Sequence, residues 1–266
     1  MADLSSRHPF APESVVSQQI LGIDVGGSSV KAGVVDVTVG QLVSEFVSAP
    51  TPHASEPDHL LEVMSQLAAR FPAVVGPVGV SFPSVVKNGQ VRTAANINSG
   101  WIGINGAQIV TRALGRPTTF INDADAAGAA EMEWGAGRGV RGPVVMITLG
   151  TGIGTALFIE GRLFPNTELG HLELRGMDAE LWASARVRTT LSLDWPAWSA
   201  RVNEYLGRLD ALLWPDLFIL GGSVTEHYDN FAPLLKANAE IRPAQFSGEA
   251  GVIGAALCAG RADAGR

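Results

Sequence analysis

The chain carries one cysteine, Cys258, among its 266 residues. A single thiol closes no internal disulfide and builds no Cys-rich zinc site. Its small-residue setting, Gly254 to Gly260, reads as a packed helix, so the thiol is expected to be buried and inert rather than nucleophilic. No run of about 18 apolar residues is present, which argues against a membrane-spanning helix. Residues 1–19 are polar, contain Pro9 and Pro12 and lack an apolar core segment, so no secretory leader is expected and a cytoplasmic location is the default. Positive charge is scarce. The net charge of −7 argues against general nucleic-acid binding, although a local basic groove stays open. Neither HExxH nor a comparable spacing links His8, His53, His59, His171 and His227, so a catalytic zinc site is not expected. What is present is apolar mass. A hydrophobic fraction of 46% with 17% charged residues suffices for one large domain or two lobes with real cores.

The most informative stretch is Leu21 to Asp36, LGIDVGGSSVKAGVVD. Ile20, Leu21, Ile23 and Val25 make a short buried strand, and Val30, Ala32 and Val34 alternate with Lys31, Gly33 and Val35 in a second one. Asp24 precedes the turn, where a carboxylate is costly if buried without partners. Gly26 and Gly27 let a backbone approach a phosphate closely, and turn N–H groups can bond its oxygens. Ser28 adds a donor, Lys31 a compensating charge, and Asp24 is placed to face a phosphate-bound metal, directly or through water. The competing reading is an ordinary hairpin whose Gly-Gly turn follows an Asp. The stretch is neither GxxxxGK[ST] nor the GxGxxG that opens a Rossmann helix.

Residues 1–19 read as a loose arm. Strands are expected over 20–25, 29–36 and 41–48, and a helix over 57–71 from the spacing of Leu60, Met64, Leu67 and Phe71. A buried strand over 78–82 stops at Pro83. Loops and short hairpins follow over 84–103, then a helix over 104–115, a strand over 118–121 and an Ala-rich helix over 124–134. Gly135 to Gly142 reads as a flexible basic loop and a boundary. Strands over 144–149 and 153–159 flank Gly150-Thr151-Gly152, repeating the strand, glycine turn and strand of the opening stretch. Helices are expected over 178–190 and 198–212, a strand over 217–220 before Gly221 and Gly222, and a small-residue helix over 250–259 whose Gly251 and Gly254 permit close packing. Strands followed by helices, twice, indicate α/β lobes with mixed sheets.

Three glycine turns thus follow buried strands, and together they outline a phosphate-rich ligand. Between them stand residues suited to a second substrate. Asn122 and Asp123 close a strand and open a helix. Asp123 can serve as a helix N-cap, a purely structural role, or as a general base that orients a hydroxyl and accepts its proton, for which an ordinary carboxylate pKa suffices. Glu168-Leu169-Gly170-His171 and Glu180 form another polar group, matched to a sugar whose hydroxyls both donate and accept. A satisfied surface or core histidine is the alternative for His171.

These pieces together resemble the ROK family of sugar kinases. The resemblance rests on Asp24-Val25-Gly26-Gly27-Ser28 with Lys31, Asn122-Asp123, Leu149 to Gly154, Glu168 to His171, Gly221-Gly222 and Ala250 to Gly254. They run in family order over about residues 20–257. Asn96 to Trp101, Asp178-Ala179-Glu180 and Leu213 to Leu217 resemble the polyphosphate-using branch. The family's CxCGxxGCxE zinc motif is absent, as it is in that branch, and the resemblance implies that Glu180 would keep the role of its terminal Glu. The family's repressors carry an N-terminal helix-turn-helix, for which 19 residues leave no room, so a repressor is not expected.

The resemblance implies an α/β, two-lobed actin/hexokinase-like (ribonuclease H-like) fold with mixed sheets and an interlobe cleft. The lobes would be a small one over 20–122 and a larger one over 123–249, with a C-terminal helix over 250–266 packing back on the first. It implies phosphoryl transfer from polyphosphate or ATP to the 6-hydroxyl of glucose, or of mannose. Asp123 would be the base, and Asn98, Asn122, Glu168, His171 and Glu180 would hold the other hydroxyls. Gly26, Gly27, Ser28 and Lys31 would hold donor phosphates with Thr151 and Gly152 opposite, Gly221 and Gly222 would lie near a nucleotide, and Asp24 would act near Mg2+. A homodimer is the implied assembly. An ATP-only kinase for another hexose and a catalytically silent sugar-binding regulator are the alternatives. A polyphosphate donor calls for a basic track, for which Lys31, Arg138, Arg141, Arg162 and Arg116 are candidates.

Overall fold

Gln19–Val25 form β1 and Ser29–Asp36 form β2, an antiparallel pair with Asp24 opposite Lys31. The computed structural model describes residues 17–95, 97–246 and 248–265. The expected arm up to position 16 and Asn96 of the Asn96–Trp101 stretch lie outside the described residues. The strand expected over 41–48 is two pieces, β3 (Gln41–Leu42) and β4 (Val47–Pro50), both paired with β2. Between them the chain leaves the ladder, and the Ser44 hydroxyl accepts the Val34 N–H at 2.8 Å in place of a carbonyl. Helix α1 (Pro57–Ala68) starts on Pro57, whose missing N–H is no loss in a first turn. It buries Leu60, Met64 and Leu67 as their spacing predicts, but ends before Phe71.

Strand β5 (Val78–Phe82) runs parallel to β1. The next stretch holds a small hairpin, β6 (Val86–Lys87) with β7 (Gln90–Val91). Helix α2 (Gly106–Leu114) is bounded by the Asn105 cap and by Gly115 at φ +64°. Strand β8 (Thr118–Asn122) lies parallel to β5 and leads into α3 (Asp123–Glu133). The first sheet has the order β3-β2-β1-β5-β8. Under it Phe82, Trp101 and Phe120 cluster, with Phe82 and Trp101 centroids 4.7 Å apart and the Trp101 indole N–H on the Ser55 carbonyl.

The second sheet repeats the frame. Its strands are β9 (Val144–Leu149), β10 (Ile153–Ile159) and β11 (Arg162–Phe164), with two more from later in the chain. Between these groups come the β12 (Glu173–Leu174) and β13 (Met177–Asp178) hairpin, α4 (Ala179–Ala183), α5 (Ala185–Thr190) and α6 (Trp195–Leu213). Strand β14 (Leu217–Gly221), the short α7 (Tyr228–Phe231), β15 (Glu240–Pro243) and α8 (Ala250–Ala264) complete the chain. The order is β11-β10-β9-β14-β15, and in both sheets two antiparallel pairings are followed by two parallel ones.

The helix expected over 178–190 breaks at Ser184, whose extended backbone (ψ 160°) separates α4 from α5. The carbonyls of Ala183 and Ser184 accept the Trp198 indole N–H at 3.1 and 3.2 Å, which satisfies groups the break sets free. Residues 135–142 are not a free loop. Buried Glu131 accepts the N–H groups of Ala136, Gln245 and Phe246 and pins the loop's start.

Helix α8 lies flush on the first sheet and against α3. A side chain on Gly22 would strike the Val252 carbonyl, one on Gly79 that of Ala255, and one on Gly254 that of Ala126. These contacts draw the starts of α3 and α8 together beside the end of β1. Cys258 sits in this packing, and burial pushes its thiol up to about 11, so it is not a nucleophile. Among the described residues no helix is long and apolar enough to cross a membrane.

Candidate active site

A cavity of about 450 Å³ lies between the ends of the two sheets, within the usual size for a small-molecule site. Gly27, Ser28, Asn122, Asp123, Thr151, Gly152, Glu168, His171, Glu180 and Gly222 line it. Asp24, Gly26, Lys31, Asn98 and Gly221, also singled out in the sequence, do not.

The first glycine turn is a hairpin connection, but not one that needs glycine for its conformation. Neither Gly26 nor Gly27 has a positive φ, which excludes the primed Gly-Gly turns. The Gly26 N–H is engaged by Ser29 O at 3.0 Å, and its carbonyl accepts the Thr51 hydroxyl at 2.6 Å. Gly26 therefore has no N–H free for a phosphate, a correction to its expected role. A Cβ on Gly27 would meet nothing within 4 Å, so this residue offers bare backbone to open space. Lys31 stands behind the turn. Its ammonium donates to Gly248 O at 3.2 Å and lies 6.0 Å from the Phe46 ring.

In the second turn Gly150 N–H bonds Gly152 O at 3.1 Å, while Gly150 O accepts the Arg186 N–H at 3.0 Å. Thr151 is exposed toward the cavity. Of the third pair, Gly221 packs on Met146, and Gly222 borders the cavity. Gly222 requires glycine, because its φ is +90° and a side chain would strike the Leu149 carbonyl.

Two carboxylates meet behind the first turn. Asp24 accepts the Ser81 hydroxyl at 2.6 Å, and Gly251 leaves room for it. Burial raises its pKa against the opposing pull of Ser81 and Lys31. Asn122, not Asp123, is the N-cap of α3. Its Oδ1 accepts the Asp125 N–H at 2.9 Å and its amide donates to Ser84 O. Asp123, in the first turn of α3, is released from capping and borders the cavity. Its pKa is not ordinary. Burial first, then the charges of Asp24 and Glu168, push it up to about 7.

Glu168 precedes and His171 ends the 3-10 turn Leu169–His171, which Gly170 lets press against the Ile153 carbonyl. His171 Nδ1 lies 2.9 Å from Asp178 Oδ2, and Nε2 lies 3.6 Å from Glu168 Oε2. The hydrogen bond to Asp178, above all, raises the imidazole pKa. Burial raises that of Glu168, with His171 opposing. Glu180 Oε2 accepts the Ile153 N–H at 3.3 Å and ties this group to the second turn. Asn98 departs from expectation. Its amide oxygen accepts Gly100 N–H and its nitrogen donates to Ala54 O, both at 2.8 Å, so it staples a loop away from the cavity.

Sequence reasoning passed over several residues here. Ser81 is opposite Asp24 across the β1–β5 pair, a register invisible in the chain. Asp125 Oδ2 accepts the Asn166 N–H at 2.8 Å while Oδ1 has no partner, and burial pushes the group up to about 7. The Asn166 amide in turn clasps Val86, at 2.7 Å to its N–H and 3.0 Å to its carbonyl, joining the second half of the chain to β6. The proposed basic track is displaced. Arg162 begins β11 at the far end of β10, about 20 Å of strand from the second turn. Arg141 bonds through its carbonyl to Glu160 at that same end. Arg116 is engaged by the carbonyls of Gly76 and Pro77.

The ROK family pattern matches residues 20–182. The chain belongs to the ROK family. Two curated relatives are the polyphosphate glucokinases of Mycobacterium tuberculosis (strain CDC 1551 / Oshkosh), 40% identical over 92% of this chain and 93% of the relative, and of Mycobacterium leprae (strain TN), 40% identical over 89% and 73%. Among solved structures, the inorganic polyphosphate/ATP-glucomannokinase of Arthrobacter sp. strain KM is 41% identical, with a TM-score of 0.89 over 92% of this chain and 99% of that one. A ROK family glucokinase from Streptomyces griseus, crystallised with glucose and AMPPNP, shares the fold at 24% identity, with a TM-score of 0.79 over 92% of this chain and all of that one. The two-lobed, actin/hexokinase-like architecture is thus that of the family's kinases.

Proposed function

We propose that this chain is a hexose 6-phosphotransferase that moves a phosphoryl group from polyphosphate or ATP to the 6-hydroxyl of glucose, with mannose as a second acceptor. The observation that carries this reading is Asp123, a carboxylate on the cavity between two glycine turns with a pKa pushed up to about 7. A base is most effective when its pKa lies near the working pH. The 40% identity to polyphosphate glucokinases along nearly the whole chain supports the same reaction.

Asp123 takes the proton of the 6-hydroxyl as its oxygen attacks the terminal phosphorus. The bond from that phosphorus to the bridging oxygen breaks, leaving ADP or a phosphate chain one unit shorter. Glu168, His171, Glu180 and the remaining hydrogen-bonding capacity of Asn122 hold the other hydroxyls. The free N–H groups of Gly27 and Ser28 face the donor from one sheet, and Thr151 and Gly152 from the other. Gly222 borders the nucleotide when ATP is used. Arg186, whose backbone is bonded to the second turn, is the cation we place beside the donor chain.

Phosphoryl transfer generally uses a divalent metal, and we assign Mg2+. The fit is chemical: Asp24 supplies a hard oxygen ligand beside Asp123, and a cation there offsets two mutually repelling carboxylates. Asp24, through water, and the donor phosphates would hold the ion, which supplies charge neutralisation on the phosphoryl oxygens. We extend the reading to a homodimer, the commonest symmetric state of soluble proteins, and to the cytoplasm, where ATP is held.

The test is a coupled sugar-phosphorylation assay crossing glucose and mannose with polyphosphate and ATP. Product is expected with glucose and at least one donor. No product in any combination would sink the kinase reading.

A further inference from the structure

Asp178 has no role in the reaction as described. It ends β13 and occupies the N-cap position of α4, where an Asp side chain normally accepts a first-turn N–H. It makes no such bond. The carboxylate turns instead to His171, with Oδ2 2.9 Å from Nδ1. The β12–β13 hairpin brings them together. Arg175 and Gly176, at φ +54° and +78°, reverse the chain and set Asp178 opposite Glu173, two residues past His171. An ionised carboxylate only accepts hydrogen bonds, so Nδ1 must carry the proton. Nε2 is then the nitrogen left for the Glu168 side of the cavity, 3.6 Å from Oε2.

We propose that Asp178 is the positioning residue of the sugar site, fixing the Nδ1–H tautomer and ring plane of His171 so that Nε2 accepts a hydrogen bond from a sugar hydroxyl. The inference rests on His171 being a sugar ligand. Without Asp178 the ring turns about its last torsion and shifts to either tautomer, and the hydroxyl loses a fixed acceptor. Three carboxylates face the ring: Asp178 from β13, Glu180 from α4 and Glu168 from the preceding segment. All three favour the protonated ring, and partial burial opposes them. Once protonated, Nε2 becomes a donor and turns to Glu168, removing both groups from the sugar. Sugar binding therefore weakens toward low pH, and Asp178 raises the pH at which it does so.

Side-chain 15N spectra of the parent protein, at about pH 8, test the tautomer directly. The His171 signals, identified by their loss in His171→Gln, are expected to show a protonated Nδ1 and a bare Nε2. A protonated Nε2 with a bare Nδ1 overturns the proposal, and this arm needs no Asp178 variant to fold. In kinetics, Asp178→Ala should raise the sugar KM about tenfold, the lower end of what loss of a histidine's orienting partner costs at histidine ligands of metals, with kcat little changed. Asp178→Asn keeps an acceptor oxygen, so its KM at about pH 8 should stay near the parent's, while the acid-side loss of sugar affinity, read by calorimetry apart from the Asp123 limb of the rate, moves to lower pH. A parental KM in Asp178→Ala, or an Asp178→Asn as impaired as Asp178→Ala with an unmoved pH dependence of sugar affinity, contradicts it. His171→Gln separates the two levels. If it keeps the parent's sugar KM, the reading of His171 as a ligand fails. If it raises KM while Asp178→Ala does not, the positioning claim alone fails.

Discussion

The two sheets share a frame and differ at one set of positions. In the first, Asp24 is flanked across the strands by Lys31 and Ser81. In the second, the residue at the same distance before its glycine turn is Thr148, flanked by Gly154 and Gly221. A charged trio in one sheet is a small, neutral trio in the other. The contrast continues one layer out, where Asp123 starts α3 and Ala250 and Gly251 start α8. The pairing logic of the frame accounts for where both turns lie, and the substitutions at equivalent positions decide which half handles charge. In the proposed reaction one sheet supplies the base and the metal-facing carboxylate, and the other contributes backbone and hydroxyl groups to the donor.

The largest effect is expected at Asp123. Asp123→Asn should lower phosphoryl transfer by about 10²- to 10⁴-fold, with sugar affinity by calorimetry largely retained. Because the folded-state pKa lies above the ordinary 3.8, the fold favours the protonated acid. Stability from this group is full below about 3.8 and is lost as pH rises to about 7. The Asn variant should therefore have a higher Tm than the parent in mildly alkaline buffer, a gap that closes in acid.

Next comes Thr148→Asp, which writes the first sheet's carboxylate into the second without a lysine or serine beside it. An unpartnered carboxylate in this position should destabilise by about 1–3 kcal/mol in urea melts near neutral pH, and by less in acid where it is protonated. Equal stability at all pH values would mean that the trio around Asp24 is dispensable. The smaller effect belongs to Gly27→Val. Its methyls would occupy the open side of the first turn, raising donor KM about tenfold, a moderate steric loss, with sugar KM unchanged. An unchanged donor KM would leave the first turn with no special part in binding phosphate.

Much of this was legible in the chain. Buried strands followed by glycine turns marked both halves, and the spacing of Leu60, Met64 and Leu67 marked α1. What escaped depended on pairings between distant segments. Nothing local sets Ser81 beside Asp24, or Asn166 across from Val86, since these meet through parallel register and interlobe contact. The sequence suggested Asp123 as an N-cap or a base of ordinary pKa. It could not show that Asn122 takes the cap, leaving Asp123 to accept the adjacent Ala124 N–H and border the cavity, nor that burial shifts its titration. Asn98 and Gly26 misled for a different reason: their residue types suit ligand binding, but groups of the protein itself already engage them.

The pH dependence of kcat/KM for the sugar, measured in the parent enzyme from acid to mildly alkaline pH, reads the ionisation of Asp123. As the proposed base, Asp123 acts only when ionised, and it titrates together with neighbouring acids. The rate should therefore rise through an acid limb with an apparent pKa near 7 and then level off. A rate that stays flat down to the ordinary carboxylate range would contradict a buried, raised Asp123 as the base.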